Sequence, residues 1–362
     1  MQPEVPHIRI AGREVGPEAP LFVIAEIGLN HGGSLHRALA LVDAAAGAGV
    51  DAIKLQAIEA TQLVSPDCPA PLHVRARSLA QFFQTFELDR EAYAQIIARA
   101  RALDLAVLAT PLSLDMVAML QDLDIDGFKI ASGDITWSQL IAVCADTEKP
   151  LVISTGMSDL KEVSRAVSTA QAAGARDVAV LHCVSAYPVP QGSENLRAIA
   201  TLASECDVPV GLSDHSIDTF SVPIAVALGA SLYERHIVLH GEEGDDAIDR
   251  AVSSTPAELA QVVRDARRTR SALGSGRKVC LDAEAGNRLA SRRSIFAARH
   301  LAAGTRVSPK DFVMLRPATG LAPSQMASLV GRRLSRHIAA GQPVTEDSFA
   351  VESYARLVPR AV

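Results

Sequence analysis

The sequence predicts a (β/α)8 barrel followed by a small β-rich module, and three observations carry that reading. Short apolar, strand-like runs alternate with helix-like runs eight times within about the first 240 residues. Near-continuous apolar strands of this kind mean a parallel sheet covered by helices. The length of 362 residues suits a barrel of ~250 residues with an appendage. Charge also divides sharply: residues 275–362 carry 14 basic and 6 acidic side chains, against 21 and 35 in the rest of the chain. That split marks a boundary near 275 and hints that the two halves meet electrostatically.

The strand candidates, in order, are LFVIAEIG (21–28), VDAIKLQA (50–57), LAVLATP (105–111), GFKIAS (127–132), LVISTG (151–156), VAVLHCVS (178–185), VPVGLS (208–213) and ASLYERH (230–236). Helical patterns lie between them, as in 35–49, 90–103 and 159–174, and a last helix follows the eighth strand at 255–274. Thr255 can cap that helix, with Pro256 at its first position. No GxGxxG follows the first strand, which removes the main support for an open dinucleotide-binding sheet. The stretch 60–88, containing SPDCPAP, reads as a long insertion that shapes a substrate pocket.

Beyond 276 the pattern changes. Residues 294–317 read as strand, glycine turn, short helix start and strand, and 329–349 nearly repeat them: each half carries AAG, a valine, a capping Ser or Thr, and an Asp one or two residues before Phe. The implied division is 1–275 for a barrel with a short N-terminal extension, 276–290 for a linker and 291–362 for the duplicated module. The module holds no acid/base cluster, so it binds or caps rather than reacts.

Composition excludes several classes. MQPEVPHIRIAG has no basic-then-apolar leader pattern, and no apolar run reaches the ~20 residues of a membrane helix. The five cysteines (68, 144, 183, 206 and 280) show no CxxC spacing, and Cys183 and Cys206 read as buried thiols, so a cytoplasmic location is expected. The basic residues of the C-terminal part are scattered and not interleaved with aromatics, which speaks against nucleic-acid binding.

In a (β/α)8 barrel the C-terminal strand ends carry the chemistry. Here they present Glu26, Lys54, Gln56, Thr110, Lys129, Ser132, Ser154, Thr155, His182, Ser185, Ser213, His215, Glu234 and His236. One strand-end Ser or Thr by itself reads as a helix cap. Two lysines inside apolar runs are different, because an unpaired buried ammonium is expensive. With the hydroxyls around them they suit an oxyanion, most simply a phosphate. His215 and His236 end neighbouring strands ~4.8 Å apart, so their imidazoles can grip one divalent metal. His182, in a tight apolar run, reads as a structural histidine. Glu26 is a lysine's partner or a general base. Asp249, in the polar loop after His236, completes the metal site or touches a sugar hydroxyl.

IAEIGLNHGG (24–33), IKLQ (53–56), FKIASGD (128–134), STGM (154–157), CVSAYP (183–188), GLSDHS (211–216), ERH (234–236) and the 294–349 module together resemble the sialic acid synthase family. The resemblance implies a TIM barrel with a C-terminal antifreeze-like (SAF) domain. It implies condensation of phosphoenolpyruvate with an N-acetylated mannose-type or diacetamido-trideoxy sugar, giving a nine-carbon 2-keto acid and phosphate. On this likeness His215 and His236 hold a divalent metal, manganese first and magnesium or cobalt as alternatives, which polarises the sugar aldehyde. Lys54, Lys129, Ser132, Ser154 and Ser213 hold phosphoenolpyruvate, and Glu26 orients or deprotonates the attacking water. Asp249 lies near metal and sugar, while Gln56, Thr110 and Tyr187 match sugar- or pyruvyl-side positions. The family pattern also implies an exchanged homodimer in which Arg316 of one subunit binds the sugar's N-acetyl group in the other's barrel.

Three departures stand out. Asp134 replaces a common Glu, Ser185 replaces a common Asn, and the loop HGEEGDDAID (240–249) is more acidic than the usual Gly-Pro-Asp turn. The first two lean toward relatives that make pseudaminic or legionaminic acid. Two other readings are a Schiff-base aldolase using Lys54 or Lys129, and a non-catalytic carbohydrate- or ice-binding protein acting through the terminal module.

Overall fold

The computed structural model describes residues 6–69, 76, 78–241 and 246–349. The start of the N-terminal extension, the middle of the 60–88 insertion, the acidic 242–245 part of the loop after the last strand, and the end of the terminal module lie outside the described residues. The chain forms two compact units, Met1–Ser275 and Gly276–Val362.

The first unit begins with a hairpin, β1 (Ile8–Ile10) and β2 (Arg13–Val15), and continues through β3 (Phe22–Glu26), β4 (Ala52–Ala57), β5 (Ala106–Pro111), β6 (Gly127–Ile130), β7 (Leu151–Ser154), β8 (Val178–Cys183), β9 (Val210–Ser213) and β10 (Leu232–Ile237). A two-residue strand, β11 (Ser253–Ser254), pairs with the end of β10. β3 to β10 are all parallel and follow chain order, and β10 closes on β3 with Leu232 opposite Phe22 and His236 opposite Glu26. The eight strands are those expected, each within two residues at its start.

Strand alternation then sorts every side chain. The inward column is apolar at the bottom and middle, where Phe22, Ile24, Ala52, Ala106, Leu108, Val152, Ala179, Leu181 and Leu232 pack together. Its top position is polar: Glu26, Lys54, Thr110, Lys129, Ser154, Ser213 and Glu234 are all buried. The outward column, including Val23, Ile53, Val107, Phe128, Ile153, Val180 and Leu212, forms the core shared with the helices. Ile8, Ile10 and Val15 of the hairpin join the inner cluster and so plug the N-terminal end of the barrel. The N-terminal extension is thus a stopper, a role that its two three-residue strands were too short to announce.

Helices start where capping chemistry places them. Ser34 accepts from the Arg37 amide at the head of Leu35–Ala48, and Gly49 ends that helix at φ 77°. Thr255 accepts from the Glu258 amide, with Pro256 opening Pro256–Leu273 as expected. Caps of this kind contribute about 0.5–2 kcal/mol each.

In the second unit β12 (Ser294–Ala297) pairs antiparallel with β13 (Phe312–Leu315). The expected helix starts are single 3-10 turns, Pro309–Asp311 and Glu346–Ser348. The duplication is real in three dimensions. Leu301 and Ile338, equivalent residues of the two repeats, exchange both backbone hydrogen bonds at 2.9 Å. The Gly304 amide donates to the Leu334 carbonyl at 2.8 Å, and the matching Gly341 amide donates to Ala297 at 2.9 Å. The unit has its own core, built on Ile295, Leu301, Val307, Leu334, Ile338 and Val344.

Candidate active site

A cavity of about 380 Å³ opens at the C-terminal end of the barrel. Its wall includes eleven of the residues given a role from sequence: Glu26, Lys54, Gln56, Thr110, Lys129, Ser132, Ser154, Tyr187, Ser213, His215 and His236. Cys183, Ser185 and Glu234 line it as well. Asp134 ends the 3-10 turn Ser132–Asp134 and does not line the cavity, though burial raises its carboxyl pKa. Asp249 stands at the edge, Oδ2 lying 3.4 Å from His236 Nδ1. Arg316 is exposed in the second unit.

The floor is a cluster of two lysines and two glutamates. Lys54 Nζ lies 2.9 Å from Glu26 Oε2 and 3.6 Å from Glu234 Oε2, and Lys129 Nζ lies 3.2 Å from Glu234 Oε1. Ser213 Oγ donates to Glu234 Oε1 at 2.9 Å, and Gln56 Nε2 donates to Glu26 Oε1 at 2.9 Å. Burial opposes every charge here, but partners decide the outcome differently at each site. For Glu234 the lysines outweigh burial, holding its pKa down at about 2. For Glu26 burial wins over Lys54, and the pKa rises. Lys54 is raised because Glu234 and Glu26 outweigh burial, while in Lys129 burial prevails and the pKa falls. The two carboxyls are thus pushed in opposite directions, Glu234 towards the charged form and Glu26 towards the protonated one.

Above the floor stand the two histidines, ring centroids 5.6 Å apart. Tyr187 lies against His215 at 4.1 Å between centroids. His215 Nδ1 is engaged by the Val184 carbonyl at 3.2 Å and Cys183 Sγ at 3.7 Å. These contacts outweigh burial and raise the His215 pKa. His236 is buried, its pKa lowered by burial to about 4, and its Nδ1 makes no hydrogen bond. Among the described residues no three His, Cys, Asp or Glu side chains form a ready metal cluster. What the chain offers is a pair of imidazoles, an unsatisfied Nδ1 and one carboxylate beside it. That donor set fits a divalent ion whose remaining positions are left to water or substrate oxygens.

Two glycines are required by close approach. Gly28 sits at φ 53°, and a Cβ there would stand 3.1 Å from Glu26 Oε1 and from His236 Nδ1. A Cβ on Gly156 would meet Ser185 Oγ at 2.2 Å and Ser132 Oγ at 2.8 Å. The bare Gly156 amide instead donates to Ser132 Oγ at 3.0 Å.

Asn30 escaped the sequence reading. It is buried, donates through Nδ2 to the Ile237 carbonyl and Ser253 Oγ at 2.8 and 2.9 Å, and accepts from the Asp249 amide at 3.0 Å. It therefore ties the Asp249 loop to the end of β10. Glu234 was on the strand-end inventory but was assigned no role; its signal was the two-residue spacing from His236, which puts both on the inner face. His182 turns outward and bonds the Glu194 carbonyl at 2.8 Å, the structural role expected of it.

Fold and site define a single-barrel protein whose C-terminal mouth sets two buried lysines and two glutamates below a pair of histidines. The NeuB family model matches residues 41–278, and the SAF domain model matches residues 292–350. The N,N'-diacetyllegionaminic acid synthase of Legionella pneumophila is 34% identical over 335 residues, covering 90% of this chain and 94% of that one. The pseudaminic acid synthase of Campylobacter jejuni is 30% identical over 334 residues, covering 91% and 96%. A solved N-acetylneuraminic acid synthetase from Leptospira borgpetersenii, in complex with citrate, superposes with a TM-score of 0.71 at 31% identity, covering 78% of this chain and 95% of that one. The chain belongs to the NeuB family and carries a SAF domain.

Proposed function

We propose that the protein is a nonulosonate synthase that condenses phosphoenolpyruvate with an N-acylated six-carbon sugar, releasing phosphate and a nine-carbon 2-keto acid. The carrying observation is one cavity with a two-lysine, hydroxyl-lined floor beneath two adjacent histidines. Lys54, Lys129, Thr110, Ser132, Ser154 and Ser213 bind the phosphate and carboxylate of phosphoenolpyruvate. Ammoniums in a dry site are strong anion anchors, and the glutamates hold them in place until substrate arrives.

His215 and His236 would hold a divalent ion, manganese first and magnesium or cobalt next, and it would supply Lewis acidity toward the sugar aldehyde. Carbon 3 of the enol attacks that aldehyde, forming the new C–C bond as the carbonyl π bond opens. The former aldehyde oxygen takes up a proton from solvent to become a hydroxyl, and an oxocarbenium centre is left at carbon 2. Water adds there, its proton passing to Glu26, which the Gln56 amide orients. The tetrahedral intermediate then breaks its C–O bond and expels phosphate. Tyr187 and Asp249 border the sugar side, and Asp134 lies behind the Ser132 turn. Arg316 of a second subunit completes the site by binding the N-acyl oxygen.

The preferred sugar is a diacetamido-trideoxy hexose, which Asp134, Ser185 and the similarity to a legionaminic acid synthase support. A Schiff-base aldolase is disfavoured because Lys129 Nζ, the lysine with the lowered pKa, is paired with Glu234. The test is phosphate release from phosphoenolpyruvate with N-acetylmannosamine and with the two diacetamido sugars in turn. Turnover is expected to be fastest with a diacetamido sugar. Turnover with N-acetylmannosamine alone overturns the sugar assignment, and silence with all three overturns the reading.

A further inference from the structure

The outward faces of the barrel strands are apolar almost throughout, yet the two positions beside the paired histidines are charged. Asp214 precedes His215 and Arg235 precedes His236; both are buried, at 4% and 2% exposure. Arg235 Nη1 lies 3.4 Å from Asp214 Oδ2. Asp214 also accepts from Tyr233 Oη at 2.7 Å, from the Ser216 amide at 2.9 Å, and from the Ser216 and Ser221 hydroxyls. Arg235 donates through Nε to Ser254 Oγ at 2.6 Å and through Nη2 to the Ile217 carbonyl at 3.3 Å. The Asp214 amide continues the ladder beyond β9 by bonding the Glu234 carbonyl at 2.9 Å.

The network thus staples the end of β9, the turn after it, the helix Ser221–Ala227, β10 and β11 behind the histidine pair. A buried ion pair is no reason for stability in itself, since apolar replacements are often as stable; its attested use is to specify one geometry. Strand alternation makes the link direct. Any slide or twist of β9 against β10 that separates Asp214 from Arg235 also separates His215 from His236.

We propose that Asp214 and Arg235 are positioning residues that set the spacing of His215 and His236 for the divalent ion. The inference rests on the metal reading given under Proposed function. It implies that the pair matters more to the upper half of the cavity than to its floor, where the Ser213–Glu234 hydrogen bond at 2.9 Å ties the same two strands independently.

The test uses the full-length protein without sugar and measures Mn²⁺ and phosphoenolpyruvate binding separately by calorimetry. Asp214→Asn and Arg235→Lys keep size or charge but weaken the ion pair and the hydrogen bonds around it. Each is expected to weaken Mn²⁺ binding by ~10-fold or more, the effect typical of supporting contacts behind metal ligands, with phosphoenolpyruvate affinity within about twofold of wild type. Ser254→Ala removes one anchor of Arg235 and is expected to weaken Mn²⁺ binding in the same direction but by less, which provides a milder arm if the first two variants fold poorly. Unchanged Mn²⁺ affinity, or parallel loss of both ligands, overturns the positioning role. If wild type binds no Mn²⁺, the metal reading falls first and this inference with it.

Discussion

Glu234 reaches across the barrel to Lys129, Oε1 to Nζ at 3.2 Å, joining the last strand of the barrel to the fourth. Its other oxygen faces Lys54 at 3.6 Å, so one carboxylate organises both cations of the floor.

Glu234→Gln keeps the shape and the contact with Ser213 but leaves Lys129 without its counter-charge. Breaking a buried pair from one side costs about 3–5 kcal/mol. The variant is expected to melt several degrees lower and to lose at least ~10²-fold in kcat/KM, with a raised KM for phosphoenolpyruvate. Thermal denaturation and phosphate-release kinetics check this; wild-type behaviour in both means that the lysines are held without Glu234.

Chelation is expected to abolish turnover, and Mn²⁺ to restore it in wild type but not in His215→Ala or His236→Ala. Carbonyl polarisation is worth several kcal/mol, so each variant is expected to lose at least ~10²-fold. Near-wild-type rates from both variants would sink the role given to the histidines.

If water attacks carbon 2, the bridging oxygen of phosphoenolpyruvate leaves with phosphate. Substrate carrying ¹⁸O at the bridge is expected to yield labelled inorganic phosphate by mass spectrometry. Label retained in the keto acid means attack at phosphorus, and the role given to Glu26 in water addition at carbon 2 is then withdrawn.

Arg316→Ala is expected to lower kcat/KM by about one to two orders of magnitude, since a charged donor to a shielded amide oxygen contributes roughly 1.5–3 kcal/mol. Mixing it with inactive His215→Ala under subunit exchange tests action between subunits. A barrel with intact histidines then receives an intact arginine, and activity is expected to rise well above either parent. If exchange is verified and activity stays at the parental average, Arg316 serves its own barrel or none.

Much of this was legible in the sequence because the relevant patterns are local. Alternation along eight short runs defines the barrel strands, a capping Thr255 with Pro256 opens the last barrel helix, and lysines within AIKLQ and FKIAS disclose a polar layer above an apolar one. Each depends on residues a few positions apart, where strand or helix geometry translates spacing directly into a face. The stopper hairpin, the anchoring of Asp249 by Asn30, the bridge from Glu234 to Lys129, and the pair Asp214–Arg235 were decided by tertiary structure. Asn30 and Asp249 are 219 positions apart, and Lys129 and Glu234 are 105 apart. Only closure of β10 on β3 and the register of neighbouring strands determine which of many buried polar groups meet, because each must find a partner wherever the fold places one.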